Sequence, residues 1–266
     1  MNFLEKIVAQ KRIEVEQRKK NQRISDLTKM DLFERETLSF SSSIKNGSGI
    51  VAEFKRKSPS AGVFNKDGNL EDTLAYYQKS NVSAYSILTD FNLFGGSLED
   101  VKKARQLVNS PILRKDFIID EYQVFEAKAY GADAILLIAD ALDEFYCENL
   151  AIVAKSLNLE VLMEFHTKEE LVKLNDNVDV IGINNRNLKT MKTDLQTSID
   201  LFKYLPYDSI KISESGISNK SQIKQLIEVG YDGFLMGEYL LKSKSINGLK
   251  EISSQVVNSK NSCHEN

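Results

Sequence analysis

Eight short apolar runs, spread along most of the chain, constrain its fold more than any other feature. They fall at 50–55, 84–88, 111–114, 134–138, 159–163, 179–183, 209–213 and 233–236. Each has the length of a strand. Most intervals between them space apolar residues as a helix would: Asp72–Lys79, Leu98–Val108, Asp120–Tyr130, Ala141–Leu157, Glu169–Leu174 and Ser221–Val229. Strands alternating with amphipathic helices predict a parallel sheet covered by helices. Eight such units in about 200 residues predict a closed (β/α)8 barrel. An open doubly wound sheet is the architectural alternative. It usually announces a glycine-rich turn after its first strand, whereas Ser58-Pro59-Ser60 follows here.

Ahead of the barrel, Phe3, Leu4, Ile7, Val8 and Ile13 form the apolar stripe of an amphipathic helix. Its basic clusters, Lys11-Arg12 and Arg18-Lys19-Lys20, alternate with Glu14 and Glu16 and read as a solvated face. Asp26 to Phe40 is a second, looser segment, and Asn46–Gly49 is a loop. The division expected is therefore an N-terminal helical extension packed on the barrel (1–48), the barrel itself (49–252) and a polar tail (253–266). A net charge of −3 over 266 residues argues against a nucleic-acid or membrane-surface partner. Two cysteines, Cys147 and Cys263, make a disulfide framework implausible and point to a reducing cytosol. Cys263 and His264 sit in the tail and carry little weight as a metal or redox site. Charge interrupts the apolar start of the chain, so no signal peptide is expected, and no apolar run has bilayer length. A soluble cytoplasmic protein is expected.

Chemistry is written at the strand ends, where a barrel of this type keeps its active site. Side chains alternate along a strand, so Val51, Glu53 and Lys55 share one face. An acid and a base on an inward-facing register are costly unless paired or used. The same pattern recurs four more times. Lys115 shares a face with Leu113, Glu164 with Leu162, Asn184 with Gly182 (Arg186 lying just beyond), and Glu214 with Ile212. Any one of these could be an ion pair at the rim, but five at matched register indicate a converging set. Lys and Glu brought together shift one another's pKa values, as general acid–base work requires.

The last two strands end in Glu214-Ser215-Gly216-Ile217 and Met236-Gly237-Glu238-Tyr239. Small residues there let backbone N–H groups approach an anion, and this pair of loops is the usual phosphate site of a barrel. The chain has no Walker loop, dinucleotide fingerprint or nucleophile elbow. It also lacks metal-ligand spacing, so a cofactor-free reaction run on Lys and Glu is expected. His166, the only histidine outside the tail, reads as a loop residue, and Lys189 lies on a loop with no inferred role.

The segments Ala52–Ser60, Ile112–Phe117, Met163-Glu164, Ile181–Arg186, Ser213–Ile217 and Phe234–Gly237 resemble the signatures of indole-3-glycerol phosphate synthases. The likeness covers nearly the whole chain, extension included. It implies a (β/α)8 barrel of tryptophan biosynthesis that closes the indole ring of 1-(2-carboxyphenylamino)-1-deoxyribulose 5-phosphate. Carbon dioxide and water leave, and neither metal nor organic cofactor takes part. It further implies that Lys115 protonates the ketone oxygen and that Glu164 serves the dehydration. Lys55 would bind the substrate carboxylate, with Glu53 as its neighbour. Asn184, Arg186 and Glu214 would line the ring and the developing hydroxyl. Ser58, Ser215, Gly216, Gly237 and Glu238 would form the phosphate loops, Glu238 through its backbone N–H. Phe94 and Phe117 would hold the anthranilate ring. The division of acid and base among Lys55, Lys115 and Glu164 is open at this stage, because coupled groups share their titration.

Two rivals are defined by what they require. A phosphoribosylanthranilate isomerase resembles this chain in its phosphate loops but works with a Cys and an Asp, and neither cysteine here falls at a strand end. A catalytically inactive barrel acting as a binding partner would have no need of the Lys and Glu set. The partner expected is the small phosphosugar–anthranilate substrate, bound by a monomer or weak homodimer.

Overall fold

The computed structural model describes residues 2–59, 62–63, 69–243 and 256. The strands are β1 (Ile50–Phe54), β2 (Lys57–Ser58), β3 (Gly62–Val63), β4 (Ala84–Leu88), β5 (Ile112–Lys115), β6 (Ala134–Ile138), β7 (Glu160–Phe165), β8 (Val180–Asn184), β9 (Ile210–Glu214) and β10 (Gly233–Met236). β1 and β4 to β10 form a closed parallel barrel, while β2 and β3 make a two-stranded hairpin above it. The apolar runs thus mark the barrel strands. The barrel closes where Val51 pairs with Leu235 on one side and with Ala84 on the other.

Every second residue of a barrel strand points inward. Val51, Ala84, Leu113, Ala134, Leu162, Val180, Ile212 and Leu235 accordingly pack together inside. Their neighbours Ile50, Ala52, Phe54, Ile112, Ile135 and Val161 face the surrounding helices in a second, larger core. Full burial of each larger aliphatic chain contributes about 1.5–3 kcal/mol. Filling the lower barrel with apolar side chains leaves the top as the only place for inward polar ones.

The extension forms α1 (Phe3–Asn21), the single turn α2 (Ile24–Leu27) and α3 (Phe40–Asn46). α1 starts at a capping box in which Asn2 Oδ1 accepts from Glu5 N at 2.9 Å and Glu5 Oε2 accepts from Asn2 N at 2.8 Å. α3 is an addition to the expected elements, since Phe40-Ser-Ser-Ser-Ile gives little helical signal beyond the Ser39 cap. Over Glu169–Lys173 the chain makes a 3-10 turn instead of an α-helix. Apart from Val256, the tail, with Cys263 and His264 and the boundary at 252, lies outside the described residues.

The reading of the α1 basic clusters as solvated holds for Arg12 and Lys20 but is overturned for Lys11, and Arg18 and Lys19 are tied to the barrel. Lys11 is 1% exposed, with its Nζ 2.7 Å from Asp90, 2.9 Å from Asp116 and 3.0 Å from Glu14. Arg18 reaches Glu126 at 3.2 Å, and Lys19 reaches Asp120 at 2.7 Å. The alternation of charge on α1 is shared with acids of the barrel rim, which a local pattern cannot reveal. At the opposite end Asp133, fully buried, accepts from Arg35 at 2.6 Å and Arg105 at 2.9 Å. These two points clamp the extension across one wall of the barrel.

Candidate active site

Register brings the inward polar groups to one level. Glu53 lies opposite Ser86 and Leu88 opposite Lys115. Ile138 lies opposite Glu164, Glu164 opposite Gly182, and Asn184 opposite Glu214. The result is a cavity of about 570 Å³ at the carboxyl ends of the strands. Glu53, Lys55, Lys115, Glu164, Asn184 and Arg186 form its polar side. Phe94, Phe117, Leu136, Ile138, Leu188 and Leu235 form its apolar side, and Ser58, Ser215, Gly216, Gly237 and Glu238 edge it from the loops. Glu214 lies beneath, 1% exposed, in contact with Lys115. The residues singled out in the sequence are therefore brought to one place.

Lys115 is the centre of the arrangement. Its Nζ stands 2.7 Å from Glu214 Oε2 and 3.3 Å from Glu164 Oε2. Burial opposes its charge, but Glu214, then Glu164 and Glu53, outweigh that and hold the ammonium well above lysine's ordinary value. The two carboxylates are pushed apart. On Glu164 burial works against ionisation, yet Lys115 and then His166 keep its carboxyl well below the usual range. On Glu214 burial wins, with Glu164 adding to it against Lys115, and the carboxyl rises to about 7. The nearer acid is thus the weaker partner. The difference is explained by surroundings: Glu164 has a second cation beside it, whereas Glu214 Oε1 is buried without a hydrogen-bond partner.

Lys55 is ion-paired with Glu53 directly above β1. Arg56 next to it makes a bidentate pair with Asp100 at 2.7 and 2.8 Å, which ties the loop after β1 to α6 (Leu98–Leu107), the helix that follows α4 (Leu70–Gln78) and the turn α5 (Phe91–Phe94). Asn184 Oδ1 accepts from Arg186 N at 2.9 Å and so starts the turn that carries Arg186 over the cavity. In the loop after β9, Ser215 (φ 65°) and Gly216 (φ 75°) are both left-handed, a conformation that turns successive N–H groups toward one side.

Three features of the site escaped the sequence reading. Phe3 and Ile7 of α1 line the cavity, so the extension is a wall of the site as well as a support. The apolar stripe was visible, but nothing local says what it covers. His166 lies in the loop after β7, as expected, but is buried there, 8% exposed, beside Glu164. Lys189 bonds Asp140 at 2.8 Å and bridges the loops after β8 and β6. Cys147 sits within α8 (Glu144–Ser156), which follows α7 (Glu121–Ala129), and burial pushes its thiol up to about 11. It is no acid–base partner for the cavity. Among the described residues, no group of three or more His, Cys, Asp or Glu is placed to hold a metal ion, and no helix is long and apolar enough to cross a membrane.

A closed eight-stranded parallel barrel with an acid–base cluster at its carboxyl-terminal mouth defines a (β/α)8-barrel enzyme. The family model described as indole-3-glycerol phosphate synthase matches residues 4–252. A relative of that name from Bacteroides thetaiotaomicron is 46% identical over 243 residues, covering 91% of this chain and 94% of its own. Another from Campylobacter fetus is 47% identical over 213 residues, covering 79% and 83%. The chain belongs to the indole-3-glycerol phosphate synthase family. Among solved structures, 3-hexulose-6-phosphate synthase from Salmonella typhimurium superposes with a TM-score of 0.61 at 13% identity, covering 80% of this chain and 99% of its own. At that identity the likeness is one of fold.

Proposed function

We propose that the cavity carries out the ring closure of 1-(2-carboxyphenylamino)-1-deoxyribulose 5-phosphate, acting as a carboxy-lyase that needs no metal or organic cofactor. The observation that carries this reading is Lys115, a charged ammonium held at the cavity base between two carboxylates. The ring carbon that bears the carboxylate attacks the ketone carbon, and Lys115 gives a proton to the ketone oxygen. Carbon dioxide then leaves that ring carbon, returning its bonding pair to the ring. Lys115, reprotonated from solvent, gives a second proton to the new hydroxyl, which leaves as water. Glu164, kept ionised, takes the proton the adduct gives up and returns it to Lys115, 3.3 Å away. Lys55, held by Glu53, receives the substrate carboxylate. Asn184, Arg186 and Glu214 line the reacting end, Phe94 and Phe117 bound the anthranilate slot, and Ser58, Ser215, Gly216, Gly237 and Glu238 meet the phosphate. Proximity of Lys115 to where the oxyanion forms supports its role as acid.

Turnover of this substrate, followed by indole fluorescence, is the test. Lys115→Met is expected to fold, to bind product within about tenfold of the native protein, and to lose at least about a hundredfold in kcat. Lys115→Arg rescues little, because a planar guanidinium cannot take the ammonium's place between Glu164 and Glu214. Lys189 is unsuited as the control because of its bond to Asp140. Lys224, 77% exposed with its nearest acid at 3.9 Å, serves instead. If Lys115→Met turns over like Lys224→Met, the assignment is wrong. Exhaustive chelation should leave activity intact; loss restored by a divalent ion would overturn the cofactor-free reading. A monomer or weak homodimer is the expected assembly, and the family's biosynthetic role supports a cytoplasmic setting. Light scattering checks the former.

A further inference from the structure

His166 is the one buried histidine among the described residues, and it stands between two acids. Its Nε2 is 3.3 Å from Glu164 Oε1 and its Nδ1 is 3.6 Å from Glu170 Oε2. Neither nitrogen meets hydrogen-bond geometry, so the interaction is one of charge at close range. Glu170 is fixed independently, since its Oε2 accepts from His166 N at 2.7 Å and its Oε1 from Thr167 Oγ1 at 3.4 Å. Glu164 in turn uses its other oxygen, Oε2, toward Lys115. A row therefore runs from Glu170 through His166 and Glu164 to Lys115. A neutral imidazole here would leave one nitrogen's lone pair facing a carboxylate. An imidazolium sets its positive charge 3.3 and 3.6 Å from the two acids, an arrangement that repays burial.

We propose that His166 is a positioning residue for the reaction: as an imidazolium it holds the Glu164 carboxylate in place and ionised across the cavity from Lys115, with Glu170 as its own counter-charge. The proposal rests on the reading of Glu164 as the base. The facing charges agree with it. Burial disfavours a cation on His166, but Glu164 and Glu170 outweigh this and raise the imidazole to about 10. The other groups nearby are Lys115, beyond Glu164, Asn184, at the end of the adjacent β8, and Lys189, whose charge acts on Asp140 and Glu170. None of them can replace the imidazolium on the Oε1 side of Glu164. It also accounts for why Glu164 and not the nearer Glu214 is the ionised member of the pair.

The chain has two histidines, so a His264→Gln protein reports the His166 imidazole alone by NMR. His166 should stay protonated from pH 5.5 to 8.5, and Glu164→Gln should bring its titration into that range. A neutral ring at pH 7 in the otherwise native protein overturns the proposal. In kinetics, His166→Gln should leave KM within about threefold and raise the acid limb of the kcat profile by about 1 to 3 pH units, because Glu164 loses a cation within about 4 Å. The loss should therefore be greatest at low pH. Glu170→Gln, which keeps the ring and the fold, should shift the limb in the same direction by less. A uniform loss across pH in both variants would mean support of the fold only, and sinks the idea. If Glu164→Gln retains full activity although the native ring is charged, the reading of Glu164 as base has failed and the positioning role falls with it, while the ion pair remains.

Discussion

A β-carbon on Gly182 would lie 2.2 Å from Glu214 Oε1. The glycine at this point of β8 is therefore the space into which the Glu214 carboxylate folds on its way to Lys115. Gly182 and Glu214 belong to adjacent strands, and no positive φ is involved; the requirement is one of room. Gly182→Ala should push the carboxylate away from its 2.7 Å contact with Lys115. The atom displaced is the end of a flexible side chain, so stability should change little. Misplacement by about 1 Å in a catalytic array can cost about a hundredfold in rate. We expect kcat to fall at least about tenfold with the thermal midpoint nearly unchanged. Full activity in Gly182→Ala would mean that Glu214 has no part in the chemistry.

Lys11→Met is expected to destabilise the fold by about 3–5 kcal/mol, because it leaves Asp90 buried without a cation and Asp116 with Arg114 alone. Asp116 keeps Arg114 at 3.2 Å but shares Lys11 with Asp90. Burial works against its charge, and Lys11, then Arg114, hold its carboxyl far below the ordinary range. Denaturant unfolding measures the cost, and Lys11→Met with Asp116→Asn should recover part of it. A single-variant cost under about 1 kcal/mol would show the network to be replaceable by water.

The barrel was legible because its strands are short apolar runs bounded by polar residues, and the site was legible because charge at the end of a buried strand has few innocent explanations. Lys115 and Glu164 stand out against Leu113 and Leu162 two residues earlier. Lys11 and His166 did not stand out, for one physical reason. Each owes its burial to acids brought close by tertiary packing: Asp90 and Asp116 for Lys11, and Glu170 over a turn for His166. A Lys in an alternating charged helix looks solvated until the partner helix or rim is known. The α3 helix was missed through its serines, whose local hydrogen bonding competes with helix formation.

Glu214 sets a pH dependence with a definite sign. Its carboxyl is raised in the folded state, chiefly by burial, to about 7, above its ordinary 4.5. The folded protein therefore binds this proton more tightly than the unfolded chain does. The contribution is fully present below about pH 4.5 and is lost as pH rises toward and through about 7. Glu214→Gln should accordingly lose less stability between pH 5 and 8 than the native protein does. Unfolding free energies at both pH values decide it. Parallel losses in the two proteins would mean that Glu214 ionises normally.

The phosphate loops give the last test. Gly237 is a poor probe, since a β-carbon there would meet Glu53 Oε1 at 3.0 Å and Glu53 Cβ at 3.2 Å. A bulky residue at 237 would disturb Lys55 through its acid as well as the anion. Gly216 is cleaner. It holds φ 75° beside the left-handed Ser215, and a β-carbon there would meet Thr193 Cγ2 at 2.5 Å. Gly216→Ala must therefore shift the loop, away from Lys115 and Glu164, at a local backbone cost of about 1–2 kcal/mol. If the loop receives the phosphate, inorganic phosphate should compete with substrate in the native protein. Gly216→Ala should then weaken that inhibition and raise KM by the same factor, about tenfold or more, while kcat stays within about threefold. The equality is the informative part, because free phosphate and the substrate's phosphate would be losing the same backbone donors. A raised KM with phosphate inhibition unchanged would put the anion elsewhere on the rim.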